Sequence, residues 1–211
     1  MFSNLPAPLQ TALFLGSLAF IPAALVCLTS FTRIIIVLSF VRRAVTSQDI
    51  PPNLVLTGLA LYLTLFTMGP LLEQVNARAL TPYLDKKITA GKAAQAGIES
   101  LHAFMRKHTR KRDLALFLHL SNSPSPNAPE DTPFHILAPA YLISELKTAF
   151  IMGFCLFLPF LVIDLVVASV LTSMGMVLMP PAQIAAPLKV LLFVMADGWH
   201  LVAYALGISF R

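Results

Sequence analysis

Six charged side chains stand inside the long apolar stretches of this sequence, and the chemistry open to them is ion pairing or proton transfer. Three are basic and three are acidic: Arg33, Lys147, Lys189, Glu145, Asp164 and Asp197. One charge at the centre of a bilayer costs about 2.5–3.5 kcal/mol, so six unpaired charges would cost about 15–20 kcal/mol, which exceeds the net stability of a typical domain. These groups must therefore pair with one another or lie outside hydrocarbon.

The spacing of Glu145 and Lys147 prevents them from pairing with each other. Residues two apart on a helix point in nearly opposite directions, so their partners must come from other helices or from other subunits. Two interpretations stay open at this point. The charges are buried pairs that fix helix register and subunit contacts, or the three carboxylates form a proton or ion relay, as in an ion-coupled transporter.

No other grouping of residues predicts chemistry. The histidines lack a metal-ligand pattern such as HExxH, and Cys27 and Cys155 stand in apolar runs without metal-site spacing. A glycine-rich phosphate loop, a nucleophile elbow and a pair of catalytic carboxylates are also missing from the sequence. We therefore predict a protein that is not an enzyme and holds neither a metal nor a cofactor.

The composition predicts a membrane protein. Of 211 residues, 57% are hydrophobic and 12% are charged, whereas soluble domains carry about a quarter charged residues. The mean hydropathy is +0.77. The net charge of +5 does not indicate a nucleic-acid partner, because basic and aromatic residues do not interleave. Most of the basic residues fall between Arg78 and Arg112.

The apolar runs predict bent and broken helices. Leu9 to Val41 is longer than a bilayer is thick, so it must tilt, bend or break, and Pro22 is the expected bend. Ile50 to Leu72 has no charge and is the clearest candidate for a membrane span. Phe134 to Thr172 is expected to bend near Pro159.

The rest of the chain divides into a polar insert and a final apolar part. Residues 73–135 carry most of the charge and predict two helices, at about 91–107 and 109–121, followed by a loop. The basic run from Arg106 to Arg112 is typical of a solvated helix face, with anionic lipid as the alternative. Met174 to Pro187 should break the helix, and Leu188 to Phe210 should form the last one.

These elements predict an all-α, membrane-associated fold of helical hairpins and bent or broken helices, with a small helical polar insert. The predicted division is 1–72 for the N-terminal hydrophobic helices, 73–135 for the insert and 136–211 for the C-terminal hydrophobic helices. A methionine-containing loop at 173–187 lies within the last part.

Several dispersed motifs carry a resemblance to a known family. They are TSFTRIIIVLS from Thr29, PPNLVLTGLALYLT from Pro51, KRDLALF from Lys111, SELKTAF from Ser144, LPFLVIDLVVASVLTSMGM from Leu158, the proline pair at Pro180 and LLFVMADGW from Leu191. Together they resemble the FliP family of flagellar type III export-gate proteins and its injectisome counterparts. Arg33 is more similar to the flagellar branch, because injectisome members often carry lysine there.

The resemblance implies an assembly. Five copies would join FliR and several FliQ subunits, with FlhB associated, to form a gated channel for unfolded flagellar subunits. The expected location is the inner membrane, as a multi-pass protein of the flagellar basal body, with the polar insert in the periplasm. The resemblance also favours the structural interpretation of the six charges over the relay.

The resemblance further implies a channel seal. In the family, a loop with consecutive methionines forms a gasket that closes the channel. Met174 and Met176 match positions of that motif. Val177 and Leu178 occupy positions that are often methionine, and Met179 lies just beyond. We expect a seal with fewer methionines that is still apolar and deformable.

Three alternatives remain from the sequence. The chain could be the equivalent subunit of an injectisome. It could be an ion-coupled membrane transporter that works alone, with Glu145, Asp164 and Asp197 as relay groups. The insert at 73–135 could be a separate helical domain that binds peptides.

Overall fold

The computed structural model describes residues 26–45, 50–121, 132–176 and 178–210, together with the single residues Pro6, Thr11, Gly16 and Pro22. Across these residues the chain is helical and contains no strand, which confirms the predicted all-α fold. The helices are α1 (Phe31–Val45), α2 (Asn53–Thr67), α3 (Gly69–Val75), a π-helical turn (Asn76–Leu80), α4 (Thr81–Leu84), α5 (Ala90–His108), α6 (Lys111–Leu120), α7 (Phe134–Ser173), α8 (Pro181–Met195) and α9 (Gly198–Ile208).

The first apolar run breaks at Thr29 and Ser30, where a bend and a turn separate residues 26–28 from α1. The Thr29 hydroxyl accepts a hydrogen bond from the Phe31 amide at 3.2 Å, so a side chain satisfies one amide at the start of α1. The predicted bend at Pro22 falls where the surrounding residues lie outside the described ranges.

Two pairs of helices are bent where a single helix was expected. The segments 53–67 and 69–84 meet at 56°, because Met68 forms a turn between them and Pro70 lies in the first turn of the new helix. Ile50 to Leu72 is therefore not one straight span. The segments α8 and α9 meet at 63°. The expected single helix from Leu188 to Phe210 is wrong, because Asp197 adopts left-handed backbone angles with φ of 48°.

Helix α7 is the longest element, and it is continuous through Pro159, near which the sequence predicts a bend. It runs for 40 residues with Pro139 and Pro159 inside it. Contacts lie on both sides of Pro159: Gly153 lies against Phe40, and Phe160 packs near Phe193 with ring centroids 6.3 Å apart. By length and apolar composition, α7 could cross a membrane, and so could each bent pair if it counts as one span.

The loop between α7 and α8 is shorter than predicted. Helix α7 ends at Ser173, and α8 begins at Pro181 and carries Pro187 within it. An amide in the first turn of a helix has no acceptor within the helix, so proline loses nothing there by lacking an N–H group. Pro181 therefore starts the helix rather than breaking it. Residues 181–187, which we expected to be a loop, are therefore the first two turns of α8.

The core lies between α1 and α7, which make the most extensive helix pair. Ile34, Val37 and Leu38 are fully buried there. The helices predicted within the insert are present as α5 and α6, and both pack against α7. Most of the predicted loop after them lies outside the described residues, and the division into three parts stays a prediction.

Candidate functional site

Arg33 and Glu145 form a bidentate ion pair inside the chain, between α1 and α7. The Arg33 Nε donates a hydrogen bond to Glu145 Oε2 at 2.8 Å, and Nη2 donates to Oε1. Arg33 is 3% exposed and Glu145 is fully buried. The planar guanidinium matches a carboxylate in this two-point geometry, so each charge is neutralised where water cannot reach it.

The same guanidinium also anchors the end of α9. Its Nη1 donates hydrogen bonds to the Ser209 carbonyl oxygen at 2.8 Å and to Ser209 Oγ at 3.0 Å. Arg33 Cζ lies 3.8 Å from the centre of the Phe210 ring, which is a cation–π contact. His108 of α5 also packs on that ring, with centroids 5.6 Å apart. Arg33 therefore links α1, α7 and the residues after α9. Phe210 adds a contact with α5 through His108.

Lys189 and Asp164 form a second ion pair, between α8 and α7. The Lys189 Nζ lies 2.6 Å from Asp164 Oδ2, and Lys189 is buried. Asp164 is about a third exposed, yet its Oδ1 is buried and has no hydrogen-bond partner among the described residues. The Lys189 contact and the packing of Phe160 on Phe193 set α8 antiparallel to α7.

Among the six charges, Lys147 and Asp197 are the two that have no ion-pair partner in the described part of the chain. Both are exposed, and neither makes an ion pair or side-chain hydrogen bond with any residue in the described ranges. Lys147 lies on α7, and Asp197 lies at the bend between α8 and α9. The sequence predicts that the partners of Glu145 and Lys147 come from other helices or from other subunits. Glu145 has its partner on another helix of the same chain, whereas Lys147 has no partner among the described residues.

The motifs KRDLALF and SELKTAF, which lie far apart in the sequence, meet at the junction of α5 and α6. The Arg110 amide donates to Ser144 Oγ at 3.0 Å, and that hydroxyl donates to the buried Asp113 Oδ2 at 2.7 Å. The Arg110 guanidinium donates to Thr148 Oγ1 at 3.0 Å. The segments KRDLALF and SELKTAF are therefore the two sides of one contact that fixes the insert on α7.

The basic run from Arg106 to Arg112 is only in part the solvated face that we predicted. Lys107, Lys111 and Arg112 are exposed. His108 and Arg110 turn inward, toward Phe210 and Thr148 respectively. Charge alone predicted exposure for the whole run; the break between α5 and α6 at Thr109 and Arg110 turns part of it toward α7.

Tyr141 is a buried residue that sequence reasoning missed. It is fully buried on α7, one turn before Glu145, and packs with Met105 and Leu137. Its hydroxyl has no hydrogen-bond partner in the described part of the chain. Leaving a hydroxyl buried and unpaired costs free energy.

We expect Tyr141→Phe to raise the free energy of unfolding by about 1 kcal/mol, because the variant removes an unpaired polar group and keeps the ring. The measurement is denaturant unfolding in detergent, followed by circular dichroism. Tyr62→Phe is the control, since Tyr62 is 77% exposed and should show no change. A loss of stability in Tyr141→Phe would mean that the hydroxyl is hydrogen-bonded, for example to a buried water.

The loop after α7 has a defined start. Gly175 has φ of 77°, a left-handed value that favours glycine. Its amide donates to the Thr172 carbonyl and the Met176 amide donates to the Leu171 carbonyl, both at 3.0 Å. This pair of hydrogen bonds is a Schellman motif, which ends α7 and turns the chain sharply toward α8.

The same loop presents apolar side chains outward. Leu178 is 99% exposed and Met174 is 67% exposed, while Met176 and Met179 are exposed to a lesser degree. Val177 lies outside the described residues. Monomeric soluble proteins rarely expose such a cluster, and apolar surface of this kind marks an interaction site. Four of the five predicted seal residues are therefore described, and all four are free of intramolecular packing that would hide them.

The described ranges hold no group of three or more histidine, cysteine, aspartate or glutamate side chains that could bind a metal ion. An open groove of about 400 Å³ lies near the ion pair, between α3 and α5, and is lined in part by Phe104, His108 and Phe210.

The fold and this site define a class of protein: an all-α membrane-type chain with bent helices, buried ion pairs between helices and exposed apolar loops. The FliP family matches residues 14–206, and the chain belongs to this family. Its relatives carry the name flagellar biosynthetic protein FliP.

Three relatives show how far the similarity extends. The protein from Bacillus subtilis is 48% identical over 207 residues, covering 98% of this chain and 94% of the relative. The one from Pectobacterium carotovorum is 50% identical, covering 95% of this chain and 78% of the relative. The one from Aquifex aeolicus is 41% identical, covering 99% and 88%.

Proposed function

We propose that this chain is a pore-forming subunit of the flagellar type III protein export gate, which passes unfolded flagellar subunits through a gated central channel. The observation that carries the proposal is the loop from Met174 to Pro180. It projects exposed apolar side chains from a sharp turn, in a chain whose family relatives are named for flagellar biosynthesis.

The surface of the helices supports assembly. Helix α7 has high mean hydropathy, and only 17% of its most apolar stretch is buried within the chain. Phe154, Val162 and Leu165 are among its exposed side chains. Such a surface needs lipid or protein around it. We propose that several copies, together with FliR, FliQ and FlhB, cover much of it in the inner membrane, at the flagellar basal body.

The two internal ion pairs favour the gate over a transporter. Glu145 and Asp164, two of the three proposed relay carboxylates, are already held by Arg33 and Lys189. A relay group must gain and lose a proton, whereas protonating either of these carboxylates would leave a buried cation without its counter-charge. The gate therefore accounts for these charges as structural supports, and the protein carries out no catalysis in this proposal.

In the proposed gate, the loop closes the channel. Methionine is flexible and polarizable, so Met174, Met176 and Met179 can close around an irregular opening and move apart when a substrate passes. Leu178, at the most exposed position of the loop, would add an apolar contact at the axis. An apolar constriction of this kind excludes ions by dewetting.

The test is to replace Met174, Met176 and Met179 together by alanine. Shortening these side chains should widen the constriction, and we expect a several-fold increase in small-ion leak across the inner membrane of cells that produce the complete gate. Leu84→Ala is the control, because Leu84 is 75% exposed but lies in the insert, outside the loop. An unchanged, tight membrane in the triple variant would contradict the seal.

A further inference from the structure

The two charges without a partner have opposite signs and lie on apolar surfaces. Lys147 is flanked on α7 by exposed Ile143, Phe150 and Ile151. Asp197 is flanked by exposed Val194 and Met195, which are 69% and 78% exposed. A charge surrounded by apolar surface is costly once that surface is covered, unless an opposite charge meets it.

The chain cannot bring these two residues together by itself. The contacts Asp164–Lys189 and Phe160–Phe193 fix the antiparallel register of α7 and α8. Moving four residues toward the start of α7 corresponds to moving four residues toward the end of α8. Continuing this register places Asp197 level with Leu156, which is about 14 Å along α7 from Lys147 at the usual helical rise. Both groups are exposed.

We infer that Lys147 of one copy pairs with Asp197 of a neighbouring copy of this chain. The inference rests on the proposed assembly and names the residues that would hold it together. Charge complementarity supports it: of the six charges inside the apolar runs, the other four are paired within the chain, and these two have opposite signs.

The contact has a geometric consequence. A pairing of two different residues fits either a two-fold dimer or a head-to-tail contact, and only the head-to-tail contact lets each copy join two neighbours, as the proposed assembly of several copies requires.

Charge reversal tests the pairing in the full-length chain produced with the other gate subunits. We expect Lys147→Glu and Asp197→Lys each to lower the oligomer fraction of detergent-extracted protein by about tenfold or more, because like charges then face each other. The double variant restores opposite charges and should recover most of the oligomer. Lys147→Arg keeps the charge and serves as the control, and circular dichroism verifies folding of every variant.

Cross-linking tests the geometry independently of stability. In a background in which Cys27 and Cys155 are replaced by alanine, one chain carries both K147C and D197C. A bifunctional maleimide should then give a ladder of dimers, trimers and larger species. A mixture of two chains, each with only one of the new cysteines, should stop at dimers.

Each outcome has a distinct meaning. Single variants that assemble like the unmodified chain, or a double variant no better than the singles, would overturn the pairing and leave the export-gate proposal intact. Assembly that depends on Lys147 and on the anionic lipid content of vesicles, but not on Asp197, would also overturn it, in favour of a lipid headgroup. An unmodified chain that stays monomeric with its partners present would overturn both proposals.

Discussion

Replacing Glu145 by alanine is expected to lower the free energy of unfolding by about 3–5 kcal/mol, the largest effect of any single change considered for this chain. The variant leaves the Arg33 guanidinium buried and without its bidentate partner. Removing one member of a buried pair costs more than the pair itself contributes, because the remaining charge stays desolvated. Denaturant unfolding in detergent measures the change.

The control and the double variant make this prediction specific. Glu73→Ala removes a carboxylate of the same type that is exposed, and a change within about 0.5 kcal/mol is expected. Combining Glu145→Leu with Arg33→Met removes both charges and should restore part of the lost stability. A cost below about 1 kcal/mol for Glu145→Ala would mean that water reaches the Arg33 guanidinium and that the pair is not sealed.

A methyl group added at Gly153 should give the second largest effect. A Cβ atom there would lie 2.5 Å from Phe40 Cδ2, well inside van der Waals contact, so α1 and α7 would have to separate or the ring would have to turn. The Phe40 ring is also packed edge-on against Phe150 at 5.5 Å, which limits its movement. We expect Gly153→Ala to lower the free energy of unfolding by about 1–3 kcal/mol.

Gly58 provides the matched glycine. It lies inside α2, and a methyl group added there would have nothing within 4 Å of it. Alanine favours a helix over glycine, so Gly58→Ala should raise the free energy of unfolding by about 0.5–1 kcal/mol. The two substitutions are chemically identical and should have opposite signs. Adding Phe40→Leu to Gly153→Ala should recover part of the free energy of unfolding. If it does not, the Phe40 contact is not the cause of the lost stability.

Two features were predictable from local sequence patterns: which segments form helices, and which buried charges need a partner. Apolar runs and their lengths predicted α2, α7 and α8, and amphipathic spacing predicted α5 and α6. The need to neutralise buried charge predicted that Arg33 and Glu145 would find partners. Which partners they find depends on how helices far apart in the sequence pack together, and periodicity within one helix carries no information on that.

Proline and aspartate produced the main errors. Pro159 and Pro187 were expected to bend or break helices, yet each lies inside a continuous helix. Asp197 was expected to continue a helix, yet it takes left-handed angles and the chain turns by 63° there. Intrinsic preferences of about 1–3 kcal/mol are small enough for tertiary contacts to override, and sequence reasoning sees the preferences but not the contacts.

The hydrogen bonds from Arg33 to Ser209 join residues 176 positions apart. On a ribosome that adds about 5–20 residues per second, this arginine waits many seconds before its last acceptors are synthesised. Glu145 is synthesised well before Ser209, so the guanidinium can gain its counter-charge early, whereas Nη1 gains its two acceptors on Ser209 only when the last turn of the chain has been made. A product that stops short of Ser209 therefore keeps the ion pair but lacks the hydrogen bonds that hold the end of α9 against α1.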